Sequence, residues 1–99
     1  MISGASGFIG SSLLRLNQEH KFYEIRNQGI VKCENHISSA ASVEEFSSFI
    51  SRNKIEAILH LATKYIREDD FNQLNEVISA NYELPNKLIC AASQTNVTK

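Results

Sequence analysis

The run Gly4-Ala5-Ser6-Gly7-Phe8-Ile9-Gly10 leaves this chain few ways to fold. Glycines at a G-x-x-G-x-x-G spacing, followed by Ser11-Ser12-Leu13-Leu14, describe a tight turn that feeds a helix. Gly4 permits a sharp strand-to-helix turn, Gly7 lets the backbone approach a pyrophosphate, and Gly10 lets the helix lie close to a sheet. The N–H groups and positive dipole end of a helix opening near Phe8 favour a bound dianion. The expected contacts to such a ligand are Gly4, Ser6, Gly7, Phe8, Ile9 and Gly10.

The rest of the chain alternates strand and helix, β-α-β-β-α-β-α, which predicts an α/β fold with a parallel sheet. Strand one is reduced to Met1-Ile2-Ser3, whereas a buried parallel strand normally runs for about five residues. A clipped start, or an unusual internal methionine, is expected from that. The first helix is predicted from about Phe8 to Asn17, with Ile9, Leu13, Leu14 and Leu16 as its apolar contacts. Strand two is predicted over Phe22 to Arg26, and a weaker strand three over Ile30 to Cys33. Ser42-Val43-Glu44-Glu45 is a capping box that opens a helix through about Ser51, with Val43, Phe46, Phe49 and Ile50 at helical spacing. Ile55 to Leu61 is apolar enough to predict a strand buried on both faces. A second capping box at Asp70-Phe71-Asn72-Gln73 predicts a long helix through about Ala92, with Leu74, Val77, Ile78, Leu84, Leu88 and Ala91 on its apolar side.

Composition excludes several classes. Apolar residues make up 42% and charged residues 21% of 99 residues, as in ordinary globular chains. A net charge of −1 gives no electrostatic reason for a nucleic-acid or membrane partner. No apolar stretch approaches the length of a transmembrane span. Cys33 and Cys90 have neither metal-ligand nor C-x-x-C spacing, so they read as reduced packing residues of a cytoplasmic protein.

The glycine run, Ala57-Ile58-Leu59-His60-Leu61-Ala62-Thr63 and Asn81-Tyr82-Glu83-Leu84-Pro85-Asn86-Lys87-Leu88 together resemble an extended short-chain dehydrogenase/reductase. The resemblance is to the NAD-dependent epimerase/dehydratase group, which works largely on nucleotide sugars, and it spans the whole chain. It implies a partial Rossmann fold, a parallel sheet of about four strands in the order 3-2-1-4 flanked by helices. Residues 1–99 would form the N-terminal part of the dinucleotide-binding domain, with the C-terminal substrate part absent and strand four left as an open edge. The resemblance also implies NADP or NAD as cofactor, a nucleotide sugar as substrate of the complete protein, and a homodimer as a family-level expectation.

Several residues refine the cofactor reading. Aligning Phe22 to Asn27 with the family's second strand puts Arg26 where a carboxylate usually accepts from the ribose hydroxyls. A guanidinium there would pair with a 2′-phosphate, which predicts a preference for NADP. Arg26 can equally stack on adenine or stand as a solvated strand-end charge. Glu24 is the competing acid, on the same face but inside the strand. Asn27 adjoins the same position, and Ile37, after His36, takes the place of the family's aliphatic contact to adenine. For His36 itself, adenine contact and an exposed loop position both stay open. Leu61, Ala62 and Thr63 end strand four at the carboxyl edge, where open α/β sheets bind ligands. Lys64, Tyr65 and Arg67 follow, either lining a substrate side or standing in a solvated loop.

His60 reads as a hydrogen-bonded strand histidine and not as a catalytic one. Asn81 precedes Pro85 by four residues, so an unbroken helix would lack the hydrogen bond to the Asn81 carbonyl. The superfamily places a helix asparagine beside its catalytic tyrosine and lysine, and Asn81 matches it in a supporting role; a plain helix bend is the alternative. The tyrosine–lysine pair itself is missing. Tyr23, Tyr65 and Tyr82 are followed four residues later by Asn27, Asp69 and Asn86. The chain therefore reads as a cofactor cradle without its proton-transfer machinery, either part of an enzyme, a non-catalytic NADP-binding or redox-sensing module, or a degenerate fragment.

Overall fold

A computed structural model of the chain describes residues 1–16, 19–26, 35–62 and 74–97. In chain order the elements are β1 (Ile2–Ser3), α1 (Phe8–Leu16), β2 (Glu24–Arg26), β3 (His36–Ser38), α2 (Val43–Arg52), β4 (Leu59–His60) and α3 (Leu74–Ile78), then a π turn (Ser79–Glu83) running into α4 (Leu84–Ser93). The strands form one sheet in the order β3-β2-β1-β4, and each pairing is parallel. Ile2 lies between Glu24 and Leu59, and Ser3 between Ile25 and His60. The expected α/β architecture and strand order are therefore present.

α2 forms where its cap and apolar spacing require it. The Ser42 hydroxyl accepts from the Glu45 N–H at 3.1 Å, satisfying a first-turn donor that the helix cannot. Phe46, Phe49 and Ile50 are buried, and Val43 packs against them. Their partners across the interface are Leu84, Leu88 and Ala91 of α4, with Met1, Ile25, Ala41 and Ile55 closing the cluster.

α1 contributes nothing to that cluster, and Gly10 is its one buried residue. Ile9 and Leu16, expected as apolar contacts, are exposed instead, whereas Leu13 and Leu14 are half-buried; the helix approaches the sheet most closely through a glycine. β4 also differs from expectation. Leu59 is 42% exposed, and β4 is an edge strand that, among the described residues, pairs with β1 alone. An apolar run alone does not distinguish a central strand from an edge.

The expected third strand, Ile30 to Cys33, lies outside the described residues, as does the second capping box at Asp70. The strand that pairs with β2 is His36–Ser38, so His36 and Ile37 occupy a sheet position and not a loop. The long C-terminal helix is interrupted by the π turn, where the Leu84 N–H donates to the Ser79 carbonyl five residues back. The interruption re-phases the helix, so Leu74 and Ile78 are exposed while Leu84 and Leu88 are buried. Cys90 lies off the buried stripe of α4 and is an exposed thiol, not the packing residue its composition suggested.

Candidate functional site

The carboxyl ends of β1, β2 and β4 converge on one groove of about 780 Å³, within the usual range for small-molecule sites. Its floor is Ser3 and the turn Gly4-Ala5-Ser6-Gly7; one wall is β2, through Glu24 and Arg26, and the other is Leu61-Ala62. Gly4 has φ +76°, a backbone conformation that L side chains rarely adopt. A Cβ at Gly4 would also lie 2.8 Å from the Ala62 nitrogen, so a side chain would force β1 and the β4 exit apart. The Gly7 N–H donates to the Gly4 carbonyl at 3.1 Å, closing the turn. A Cβ at Gly10 would fall on that same carbonyl oxygen and 2.9 Å from the Ala5 Cα. The helix can therefore start close under the turn only with glycine at position 10.

Ser3 organises the floor. It is fully buried, and its Oγ accepts from the Leu61 N–H at 3.1 Å and the Ala62 N–H at 3.2 Å. With both lone pairs engaged, the hydroxyl proton points to His60 Nδ1, 2.6 Å away. This assigns His60 as the neutral tautomer protonated on Nε2, in line with burial pushing it below the ordinary histidine range. A serine–histidine pair at this distance suggests a nucleophile and base. A fully buried oxygen already accepting two main-chain hydrogen bonds is instead a structural brace. Sequence reasoning missed Ser3; its only signal was a polar residue in an apolar strand directly before the first glycine.

The β2 wall carries the charge. Glu24 and Arg26 both face the groove while Ile25 between them faces the core. Arg26 Nη2 donates to Glu24 Oε2 at 3.0 Å, and His36 Nε2 sits 2.6 Å from the same oxygen. Glu24 is therefore a wall residue of the site, beyond the strand-interior position expected for it.

The groove thus gathers Gly4, Ser6, Gly7, Arg26, Leu61 and Ala62 from the expected set, and adds Ser3, Ala5, Glu24, Ile25 and Leu84. Phe8 and Ile9 stand beside it at the start of α1 with exposed side chains, and Gly10 supports the turn from below. Ile37 packs against the core cluster and does not line the groove. Asn81 is exposed on the π turn, does not line the groove, and is engaged in an interaction of its own. Asn27, Thr63, Lys64, Tyr65 and Arg67 lie outside the described residues.

A glycine turn, a helix N-terminus and a parallel sheet edge meet at one groove, the place where open α/β sheets bind ligands. The sequence matches the family model of the NAD dependent epimerase/dehydratase family over residues 1–99. The chain belongs to that family. Family membership implies a nicotinamide dinucleotide cofactor, and the residues present fit one, since the turn through Gly4 and Gly7 presents main chain without side chains to the groove. No curated protein and no solved structure matches the chain. No group of three or more metal-ligating side chains occurs among the described residues. Among the same residues, no helix is long and apolar enough to cross a membrane.

Proposed function

We propose that this chain is the cofactor-binding part of an NAD(P)-dependent epimerase, dehydratase or reductase that moves hydride at a carbon of a nucleotide-linked sugar. The observation that carries the reading is the groove itself, which joins the glycine turn to Arg26 and to Leu61-Ala62. A bound nicotinamide dinucleotide supplies the hydride chemistry. The chain's own residues bind and orient. The turn amides and α1 N-terminus attract the pyrophosphate, and the β2 wall reads the adenosine ribose. Leu61 and Ala62 let the nicotinamide half approach the backbone. Residues 1–99 are proposed as the N-terminal part of the dinucleotide-binding domain, with the sugar held by a C-terminal part. Asn81 is proposed to support proton transfer in that complete protein, which is cytoplasmic and a homodimer in this reading.

The preferred cofactor is NADP, because Arg26 is the cation of the groove wall and stands half in solvent, with 47% of its side chain exposed. A guanidinium has five N–H donors, and its contact with Glu24 is made through Nη2. A second reading, a non-catalytic NADP-binding module, uses the same groove and the same Arg26. Titrating the ¹⁵N-labelled chain with NADP⁺ and NAD⁺ tests the binding claim common to both. Saturable shifts at the Gly4 to Gly7 amides and at Arg26 are expected, at lower NADP⁺ than NAD⁺. Absence of shifts with either dinucleotide rejects the cradle.

A further inference from the structure

Three partners meet on the buried Ser3 Oγ in the floor of the groove. It accepts from the Leu61 N–H at 3.1 Å and the Ala62 N–H at 3.2 Å, and it lies 2.6 Å from His60 Nδ1. A hydroxyl has one proton and two lone pairs, so the set is complete only when the proton goes to the histidine. The two amides differ in what else they have. The Leu61 N–H also donates to the Ser3 main-chain carbonyl at 3.2 Å, whereas the Ala62 N–H has Oγ alone among the described residues.

Ala62 is also where the chain leaves β4 against the glycine turn. A Cβ at Gly4 would stand 2.8 Å from the Ala62 nitrogen and 2.9 Å from the Leu61 carbonyl carbon, so the turn and the strand exit pack main chain against main chain. Ser3, Gly4, Leu61 and Ala62 all line the groove, and His60 does not. The parallel register sets His60 beside Ser3, and it reaches the groove through the serine hydroxyl. With Nδ1 as acceptor, both lone pairs of Oγ are left to the amides. Burial pushes His60 below the ordinary histidine range, which keeps Nδ1 an acceptor near neutral pH. Without that acceptor the buried hydroxyl can place its proton only by turning, and turning takes a lone pair from an amide.

Resting on the dinucleotide reading above, we infer that His60 is a positioning residue for the cofactor, acting through Ser3 on the Leu61-Ala62 wall. It holds the Ser3 proton, Ser3 holds the two amides, and the amides fix the wall that faces the nicotinamide half and abuts the glycine turn. The histidine itself touches no ligand.

The test measures NADP⁺ dissociation constants for the full chain by amide NMR titration at neutral pH, with hydrogen exchange at the Leu61 and Ala62 amides of the free chain. His60→Leu removes the acceptor and keeps an apolar side chain on the strand. It should weaken NADP⁺ binding about tenfold, the equivalent of about one hydrogen bond, and speed exchange at Ala62 more than at Leu61. His60→Asn puts its Oδ1 as many bonds from the main chain as Nδ1, so it should return both readouts to wild-type values. In a Ser3→Ala background His60→Leu should add nothing, because the oxygen through which it acts is gone. A role in packing alone gives the opposite pattern, with asparagine no better than leucine and leucine equally harmful with or without the Ser3 hydroxyl. Either of those results, or wild-type binding by His60→Leu, overturns the proposal while leaving the cradle intact. If the leucine variant does not fold, His60→Asn decides alone, and a loss of affinity of about tenfold in it overturns the proposal. If neither dinucleotide shifts Gly4 to Gly7 in the wild type, the cradle reading fails, and this proposal falls with it.

Discussion

Replacing Ser3 with alanine removes a single, fully buried oxygen from the floor of the groove, and that oxygen holds three partners. The Leu61 N–H also donates to the Ser3 main-chain carbonyl at 3.2 Å and keeps that bond. The Ala62 N–H loses its Oγ acceptor, and His60 Nδ1 loses the hydroxyl proton. His60 is half-buried, so its ring can turn to water. The orphaned Ala62 donor is the main cost, about 1–3 kcal/mol for a buried unsatisfied group. A total near 2 kcal/mol is expected, which for a domain of this size lowers Tm by about 10 °C. Circular dichroism melts of wild type and Ser3→Ala at neutral pH read the effect directly. Weaker NADP⁺ binding should accompany it, because the same oxygen fixes the Leu61-Ala62 wall. A loss below about 0.5 kcal/mol, the range of ordinary surface substitutions, would refute the brace and show that Ala62 finds another acceptor.

Four further outcomes can be checked. Gly10→Ala should be at least as damaging as Ser3→Ala, because the new methyl meets backbone atoms of Gly4 and Ala5 that cannot yield cheaply; thermal melting and loss of dinucleotide-induced amide shifts would report it. Phe46→Ala, at a position with 0% exposure, should cost about 3–5 kcal/mol and leave the chain largely unfolded, read as lost amide dispersion. Stability should decline on acidification through His60. Its proton affinity is lowered by burial in the folded state, so the unfolded chain binds more protons and stability present above the ordinary histidine range, about pH 6.5, falls below it. Urea midpoints against pH should show this slope, flattened in His60→Gln. Finally, Arg26→Asp should reverse the NADP⁺ to NAD⁺ preference in the same titration, and unchanged selectivity would remove Arg26 from the ribose subsite.

Much of the cradle could be read from the residues because its physics is local. The glycine spacing, the Ser42 cap and the α2 apolar stripe each act within a few positions, and each lies where its chemistry demands. What escaped depends on register. Ser3 gains its role only because parallel pairing sets it opposite His60, and Glu24 meets His36 only because β3 begins at 36. No periodicity encodes such cross-strand neighbours. The short, polar β3 carries little strand signal of its own, since His36 and Ser38 flank a single aliphatic residue. Edge position, which goes with the exposure of Leu59, likewise belongs to the sheet, not to the segment. Pro85 pointed correctly to a disturbed helix but not to its form. Proline removes an α-helical donor, and the chain answered by widening the preceding turn to five-residue hydrogen bonding.

That widened turn makes chain length negotiable at one place in the helix. A residue added to an α-helix advances everything after it by roughly 100°. The π turn takes up such an advance before Leu84, so α4 presents Leu84, Leu88 and Ala91 to α2 whatever the phase of α3. Deleting one residue within 79–83 should draw on that slack and leave the α2–α4 seam in place, with only the outward-facing α3 swinging round. The same deletion between Leu84 and Leu88 has no slack to draw on and would carry Leu88 and Ala91 away from Phe46 and Phe49.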